Sequence, residues 1–218
     1  MEVLVPFSAD RPKSRLADAL SPSERAAFVR TMLADVLAAI DDAGGDPLLL
    51  ATEAFDPTDE PTVPLDPPVA VDDRPLTDAV NALLAERRPG DGTDPVAIVM
   101  ADLAIATPES FRELFAVGRE TGVAIAPGRG GGTNALVVSR PEFRVDYHGA
   151  SYLDHREIAT DAGLSVETID SHRLATDVDE PGDLAEVLIH GEGRAATWLR
   201  ETGFALDASG GRVAAVRK

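Results

Sequence analysis

The sequence has 218 residues, enough for one domain with at most a small appendage, and 44% of them are apolar, enough for a packed core that a 5% aromatic content makes aliphatic. It has no cysteine, which excludes disulfides, thiolate metal sites and cysteine nucleophiles, and no apolar stretch near 18 residues, so neither a membrane span nor a secretory leader is predicted. The net charge of −18, carried by scattered acids, disfavours nucleic acid as a partner and predicts a surface built for a salt-rich cytoplasm, where screening makes self-repulsion cheap.

Taken in chain order, the continuous apolar run Val3, Leu4, Val5 predicts a buried strand over residues 1–6, followed by a loop over 7–20. Ser21-Pro22-Ser23-Glu24 is a capping box with proline at the first helical position, opening a helix to about residue 40. Strands are expected at 47–52 and 69–71, around a proline- and acid-rich loop at 53–68. A helix follows at 76–86, then a fully apolar strand at 95–100 that runs into Asp102, then a helix from Thr107-Pro108 to Gly118 or Gly122. Strands at 123–126 and 134–138 enclose a glycine-rich loop, with four glycines in the five residues 128–132. Residues 151–162 read as a helix, 165–169 as a strand, 181–189 and 195–201 as helices, and 204–206 with 212–216 as a terminal hairpin. Alternation of strands and helices implies an α/β fold, with helices on both faces of a mainly parallel sheet and ligands bound at the strands' carboxyl ends.

Several residues stand out against that frame. The loop after the first strand, PFSADRPKSRL, holds Arg11, Lys13 and Arg15 within five residues. Lys13 is one of only two lysines, the other being the terminal Lys218, so in a chain that has otherwise replaced lysine by arginine it calls for a reason. Alternating cations there suit a polyphosphate, although the loop is not a Walker A sequence. Asp102, at the end of the most apolar strand, is a candidate magnesium ligand or a simple turn cap. The glycine loop around Arg129 suits backbone approach to an anion or serves as a connection, without the spacing of a dinucleotide fingerprint. In DVDEPGDL, helix capping accounts for Pro181 at the first helical position and for Asp183, but leaves the strand-end acids Asp177 and Asp179 as candidates for a second metal carboxylate. The four histidines, His148, His155, His172 and His190, show no zinc-ligand spacing, and His148 and His155 flank Ser151 without a nucleophile elbow.

In order along the chain, VPFSADRPKSRLADALSPSER, ADLA, APGRGGGTNAL, DYHGASYLDH and DVDEPGDL resemble the 2-phospho-L-lactate guanylyltransferases of coenzyme F-420 biosynthesis, over nearly the whole length. The resemblance implies a single Rossmann-like nucleotidyltransferase domain of the glycosyltransferase-A type, with a small helix-and-hairpin extension at about 192–218. It implies that GTP and 2-phospho-L-lactate give lactyl-2-diphospho-5'-guanosine and pyrophosphate, with phosphoenolpyruvate as the acid in a close variant. By position, Lys13, Arg15 and Asp102 would be catalytic, and Pro6, Lys13, Arg15, Gly130, Gly131, Thr133 and Asn134 would face the nucleotide. Asp102 with Asp177 or Asp179 would hold Mg2+, and Thr133, Gly149 and Ser151 would receive the phosphorylated three-carbon acid. Departures from the family pattern fall at Ser8, often lysine; at Ala104, often proline; at Gly128, often an acid; and at His148, often glycine. A molybdopterin guanylyltransferase-like or sugar-nucleotide activity and an inactive nucleotide-binding scaffold remain alternatives. A homodimer, with the terminal hairpin extending a partner's sheet, is the assembly left open.

Overall fold

In the computed structural model, which describes residues 1–8, 13–54, 65–90 and 92–218, the unalternating apolar runs become strands covered on both faces. The first half holds β1 (Glu2–Phe7), α1 (Pro22–Asp42), β2 (Asp46–Ala51), β3 (Val69–Val71), α2 (Leu76–Arg87), β4 (Val96–Val99) and α3 (Pro108–Glu120). The second holds β5 (Val123–Pro127), β6 (Thr133–Val138), α4 (Ser151–Asp161), β7 (Val166–Thr168), α5 (His172–Ala175), α6 (Asp183–His190), α7 (Arg194–Glu201), β8 (Phe204–Asp207) and β9 (Ala214–Arg217).

Among the described residues, seven strands form one sheet in the order β3-β2-β1-β4-β6-β5-β7. Only β6 runs antiparallel to its neighbours, because the glycine loop turns the chain straight back after β5. Side chains alternate across the sheet. Val3 and Val5 meet Leu37, Ile40, Phe111 and Phe115 of α1 and α3, whereas Leu4, Ile98 and Leu136 meet Val80 and Leu84 of α2 and Ala159 of α4. A third cluster joins Leu16, Phe28 and Met32 to Val178, Leu184, Leu199 and Phe204, and so seals α6, α7 and the terminal β8 and β9 hairpin against α1. Within it the Phe28 and Trp198 rings lie 5.2 Å apart.

The capping box forms as read: Ser21 Oγ accepts from the Glu24 N–H and the Glu24 carboxylate accepts from the Ser21 N–H. Three details differ from the sequence reading. The expected loop at 7–20 winds into a 3-10 helix at Ser14–Asp18, pinned by fully buried Leu16. The four-residue α5, too short to show a period, is capped by Ser171 Oγ. Helix α6 starts at Asp183 behind Gly182, so Pro181 lies in the preceding turn rather than at the first helical position. Residues 55–64 of the acidic loop, and Arg11, lie outside the described residues.

Helix α3 crosses β6 closely enough that its Gly118 has no room for a side chain: a Cβ there would sit 2.4 Å from Val137 Cβ, on a fully buried side chain. Alanine in a helix gains about 1 kcal/mol over glycine, but forced overpacking of a core costs about 1–3 kcal/mol. Val137 cannot retreat through the sheet, so the clash wins. Gly118→Ala is expected to lower stability by about 1 kcal/mol in denaturant unfolding at high potassium; an unchanged or higher midpoint would show that α3 shifts freely.

Candidate active site

Strands β1 and β4 pair in parallel, Val3 with Ala97 and Leu4 with Ile98, so their carboxyl ends open onto the same edge. At that edge β1 delivers Phe7 and Ser8, and β4 delivers Met100, Ala101 and Asp102. The chain then brings Lys13 back: its ammonium donates to both Asp102 Oδ2 and Asp179 Oδ1. Arg15, more exposed, donates from Nη1 to Asp179 Oδ2 at 3.4 Å. Lys13 has φ of 25°, a left-handed backbone that a lysine adopts only under constraint. The constraint is visible: the Leu16 N–H donates to the Lys13 carbonyl at 3.0 Å, and Leu16 is locked in the core.

Two contacts make the carboxylates converge. The Val178 N–H donates to the Asp102 carbonyl at 3.2 Å, while the Val178 side chain is fully buried, so the acids on either side of it are drawn to the end of β4. Asp177 and Asp179 thus lie in an irregular segment after α5, not at the end of a strand as expected. Asp183 Oδ2 then accepts from the N–H groups of Asp179 and Glu180, at 3.0 and 2.8 Å. Asn134 Nδ2 donates to the Leu174 carbonyl at 3.0 Å and to Asp177 Oδ1 at 3.1 Å, which makes Asn134 an orienter of Asp177.

The charges do not balance. Burial pushes the Asp102 carboxyl above the ordinary range, Lys13 opposes this, and Asp177 and Asp179 add to it. Burial disfavours the Lys13 ammonium, but Asp102 and Asp179 outweigh that and hold it charged above the usual lysine range. Among the described residues, buried Asp102 Oδ1 has no hydrogen-bond partner. An unpartnered carboxylate oxygen beside two more acids fits a hard dication that prefers oxygen ligands.

The glycine loop closes on itself. Gly128 N–H donates to the Gly132 carbonyl at 2.9 Å and Gly131 N–H to the Gly128 carbonyl at 3.0 Å, with Gly131 at φ +86°. A Cβ at 128 would meet Asn134 Oδ1 at 2.5 Å. Gly130 is exposed. The Arg129 guanidinium is engaged elsewhere, on Asp183 at 2.8 Å, and ties the loop to α6.

Thr133 and Ser151 meet directly, the Thr133 N–H donating to Ser151 Oγ at 2.9 Å, with exposed Gly149 two residues before Ser151. Sequence reasoning missed the third member, His155, one helical turn beyond Ser151 on α4. Its Nε2 accepts from the Asp146 N–H at 2.9 Å, so the ring proton sits on Nδ1 and donates to Thr133 Oγ1, also at 2.9 Å. The Thr133 hydroxyl hydrogen is thereby left free for another acceptor. The four-residue spacing of Ser151 and His155 on one helix face was the signal for this cluster.

Two connected clefts run along the strand edge and share Pro6, Phe7, Ser8 and Met100. One, of about 190 Å³, reaches Lys13 and Asp102. The other, of about 250 Å³, is walled by Leu50, Leu76 and Met100, with the Ser8 and Thr52 hydroxyls 3.3 Å apart. No helix among the described residues is long and apolar enough to cross a membrane.

A family model described as "Guanylyl transferase CofC like" matches residues 1–217. The chain is 64% identical to the 2-phospho-L-lactate guanylyltransferase of Halorubrum lacusprofundi, covering all of both chains. It is 58% identical to the enzyme of the same name from Haloterrigena turkmenica, over all of this chain and 97% of the relative. Among solved structures it resembles a Desulfovibrio desulfuricans G20 protein described as a "putative nucleotide-diphospho-sugar transferase", with a TM-score of 0.73 at 18% identity, over 92% of this chain and 94% of the other. At that identity the likeness shows the nucleotidyltransferase fold.

Burial among Phe143 and Tyr147 lowers His155 from 6.5 to about 4. Between those values the unfolded chain binds a proton that the folded chain refuses, so stability falls as pH drops from about 6.5 through about 4. That loss is on the order of 3 kcal/mol. His155→Gln, which keeps a donor and an acceptor but does not titrate, is expected to flatten this part of the stability profile in unfolding experiments across pH. Parallel profiles for the two proteins would sink the assignment.

Proposed function

We propose that this chain, which belongs to the CofC-like guanylyl transferase family, joins GTP to 2-phospho-L-lactate, giving lactyl-2-diphospho-5'-guanosine and pyrophosphate in coenzyme F-420 biosynthesis. The observation that carries the reading is the Lys13 ammonium held between Asp102 and Asp179 at the mouth of a cleft whose other end is apolar. A purine fits between Leu50, Leu76 and Met100 with Ser8 and Thr52 at its edge, and a triphosphate running from there reaches Lys13 and Arg15.

The chemistry asks little covalent work of the protein. A phosphate monoester is already anionic at neutral pH, so its oxygen needs no strong base before it attacks the α-phosphorus in line. A phosphorus–oxygen bond forms to the incoming phosphate, the bond to the β-phosphate's bridging oxygen breaks, and pyrophosphate leaves with the electron pair. Charge neutralisation and positioning therefore dominate. Lys13 exchanges its carboxylate partners for phosphate oxygens, and Arg15, solvent-facing and movable, follows the leaving pyrophosphate. Asp102 with Asp177 or Asp179 would hold Mg2+, which when bound supplies further neutralisation of phosphate charge. The Thr133 hydroxyl, its oxygen already accepting from His155, donates its hydrogen to the phosphorylated acid, beside Ser151 and the exposed backbone at Gly149.

Pyrophosphate release at high potassium, with GTP, Mg2+ and either 2-phospho-L-lactate or phosphoenolpyruvate, tests the reading. Release that requires GTP and 2-phospho-L-lactate together is expected; release only with phosphoenolpyruvate would change the acid, and none with either would remove the activity. Asp102→Asn and Lys13→Ala are each expected to lower kcat/KM on the order of 100-fold or more, as for loss of a group that neutralises transition-state charge. Full turnover by Asp102→Asn would end its assignment as a metal ligand.

A further inference from the structure

Beyond the nucleotide site, the fold gathers two histidines that show no ligand spacing in the sequence. His172 opens α5, and Glu186 and His190 lie four residues apart on α6. Their ligand atoms all fall within 4.8 Å of one another. Glu186 Oε2 is 3.5 Å from the Nε2 of His172 and 3.5 Å from the Nε2 of His190. The imidazole rings stand edge to face, with centroids 5.0 Å apart.

We propose that His172, Glu186 and His190 bind a transition-metal dication of the zinc class. Ligand atoms around tetrahedral zinc, with bonds of about 2.0–2.2 Å, stand roughly 3.3–3.5 Å from one another. The carboxylate oxygen already has that spacing to both nitrogens. It is also long for a hydrogen bond, so the three groups face a common point without satisfying one another. Two imidazoles and one carboxylate select zinc, cobalt or nickel, whereas the all-oxygen set at Asp102 selects magnesium. Dipole compensation at the end of α6 accounts for His190 alone; it explains neither His172 nor the shared aim at one oxygen.

The surroundings hold the three groups in place. Arg129 Nη1 lies 3.9 Å from Glu186 Oε1, on the carboxylate's other oxygen, and so leaves Oε2 turned to the histidines. Arg173, next to His172, donates from Nη1 to the Ile105 carbonyl at 2.8 Å and to the His190 carbonyl at 3.3 Å, which ties α5 to the far end of α6. Both imidazoles are partly exposed, so an ion enters from solvent, and three protein ligands leave a fourth position to water. The chain between the ligands carries Asp177 and Asp179. A metal across α5 and α6 therefore braces the loop that presents those carboxylates, from behind.

The test uses the full, tag-free chain, stripped with chelator and kept in concentrated potassium with excess Mg2+ to occupy oxygen sites. Co2+ is titrated and followed by its visible ligand-field bands, then displaced with Zn2+. One equivalent of Co2+ is expected to develop the bands, and Zn2+ to raise the melting temperature. His190→Ala, and separately the milder His172→Gln, are expected to weaken Co2+ binding about tenfold or more and to abolish the Zn2+ shift, while Asp102→Asn keeps both. Circular dichroism establishes that the variants fold. Absence of saturable bands, bands that survive both histidine substitutions, or bands lost with Asp102→Asn would each overturn the site.

Discussion

A single ammonium lies between two carboxylates drawn from distant parts of the chain, and the strand edge is organised around it. Lys13 reaches Asp102 at the end of β4 and Asp179 before α6, so one side chain joins the first loop, the centre of the sheet and the C-terminal third. Taking charges out of water costs several kcal/mol per ion, and stripping one partner from a buried pair costs about 3–5 kcal/mol. The arrangement persists because its scaffold is overdetermined. Leu16 fixes the backbone behind Lys13, Val178 fixes the segment behind Asp177 and Asp179, and both side chains belong to one hydrophobic cluster. Packing in that cluster thus sets an electrostatic distance some way from it.

The same segments gather more negative charge than the site's cations offset. Three carboxylates face one well-placed cation and a half-free arginine, and Asp102 keeps an oxygen without a partner among the described residues. Left alone, such a cluster is strained by repulsion. In the proposed reaction the carboxylates would turn to a dication, and Lys13 would gain phosphate oxygens as partners as good as those it leaves. Where Thr133, Ser151 and His155 are hydrogen-bonded and buried, the chain has no such imbalance, and it orients a neutral donor instead.

Much of this was legible in the residues. Unbroken apolar runs located the central strands, the capping box located α1, and the rarity of lysine singled out Lys13. What escaped reading depends on contacts between segments far apart in sequence. No local pattern shows that Asn134 is turned to Asp177, that Arg129 is held by Asp183 instead of standing open in its loop, or that His155 fixes a threonine hydroxyl 22 residues before it. The position of Pro181 misled for a related reason: it suits a first helical turn, but Asp183 spends its carboxylate on the N–H groups of Asp179 and Glu180, and the helix begins only there. Local preference was overruled by the need to present Asp179.

The survival of lysine at position 13, in a chain whose other basic residues are arginines apart from the terminal Lys218, follows from the geometry. A guanidinium is a flat fork that grips one carboxylate in two places; an ammonium is a compact point charge with donors in three directions. Lys13 has to touch two carboxylates from separate segments, and in the proposed reaction it must release them to phosphate oxygens. Arginine would bind one acid well and abandon the other. Concentrated salt sharpens the distinction, because it screens the exposed pairs that scatter over an acidic surface more than it screens these partly buried ones. Selection for an arginine-rich, lysine-poor surface can therefore sweep the exterior and leave this residue untouched, since the property that makes lysine dispensable outside, its freely oriented and strongly hydrated charge, is the property the site uses.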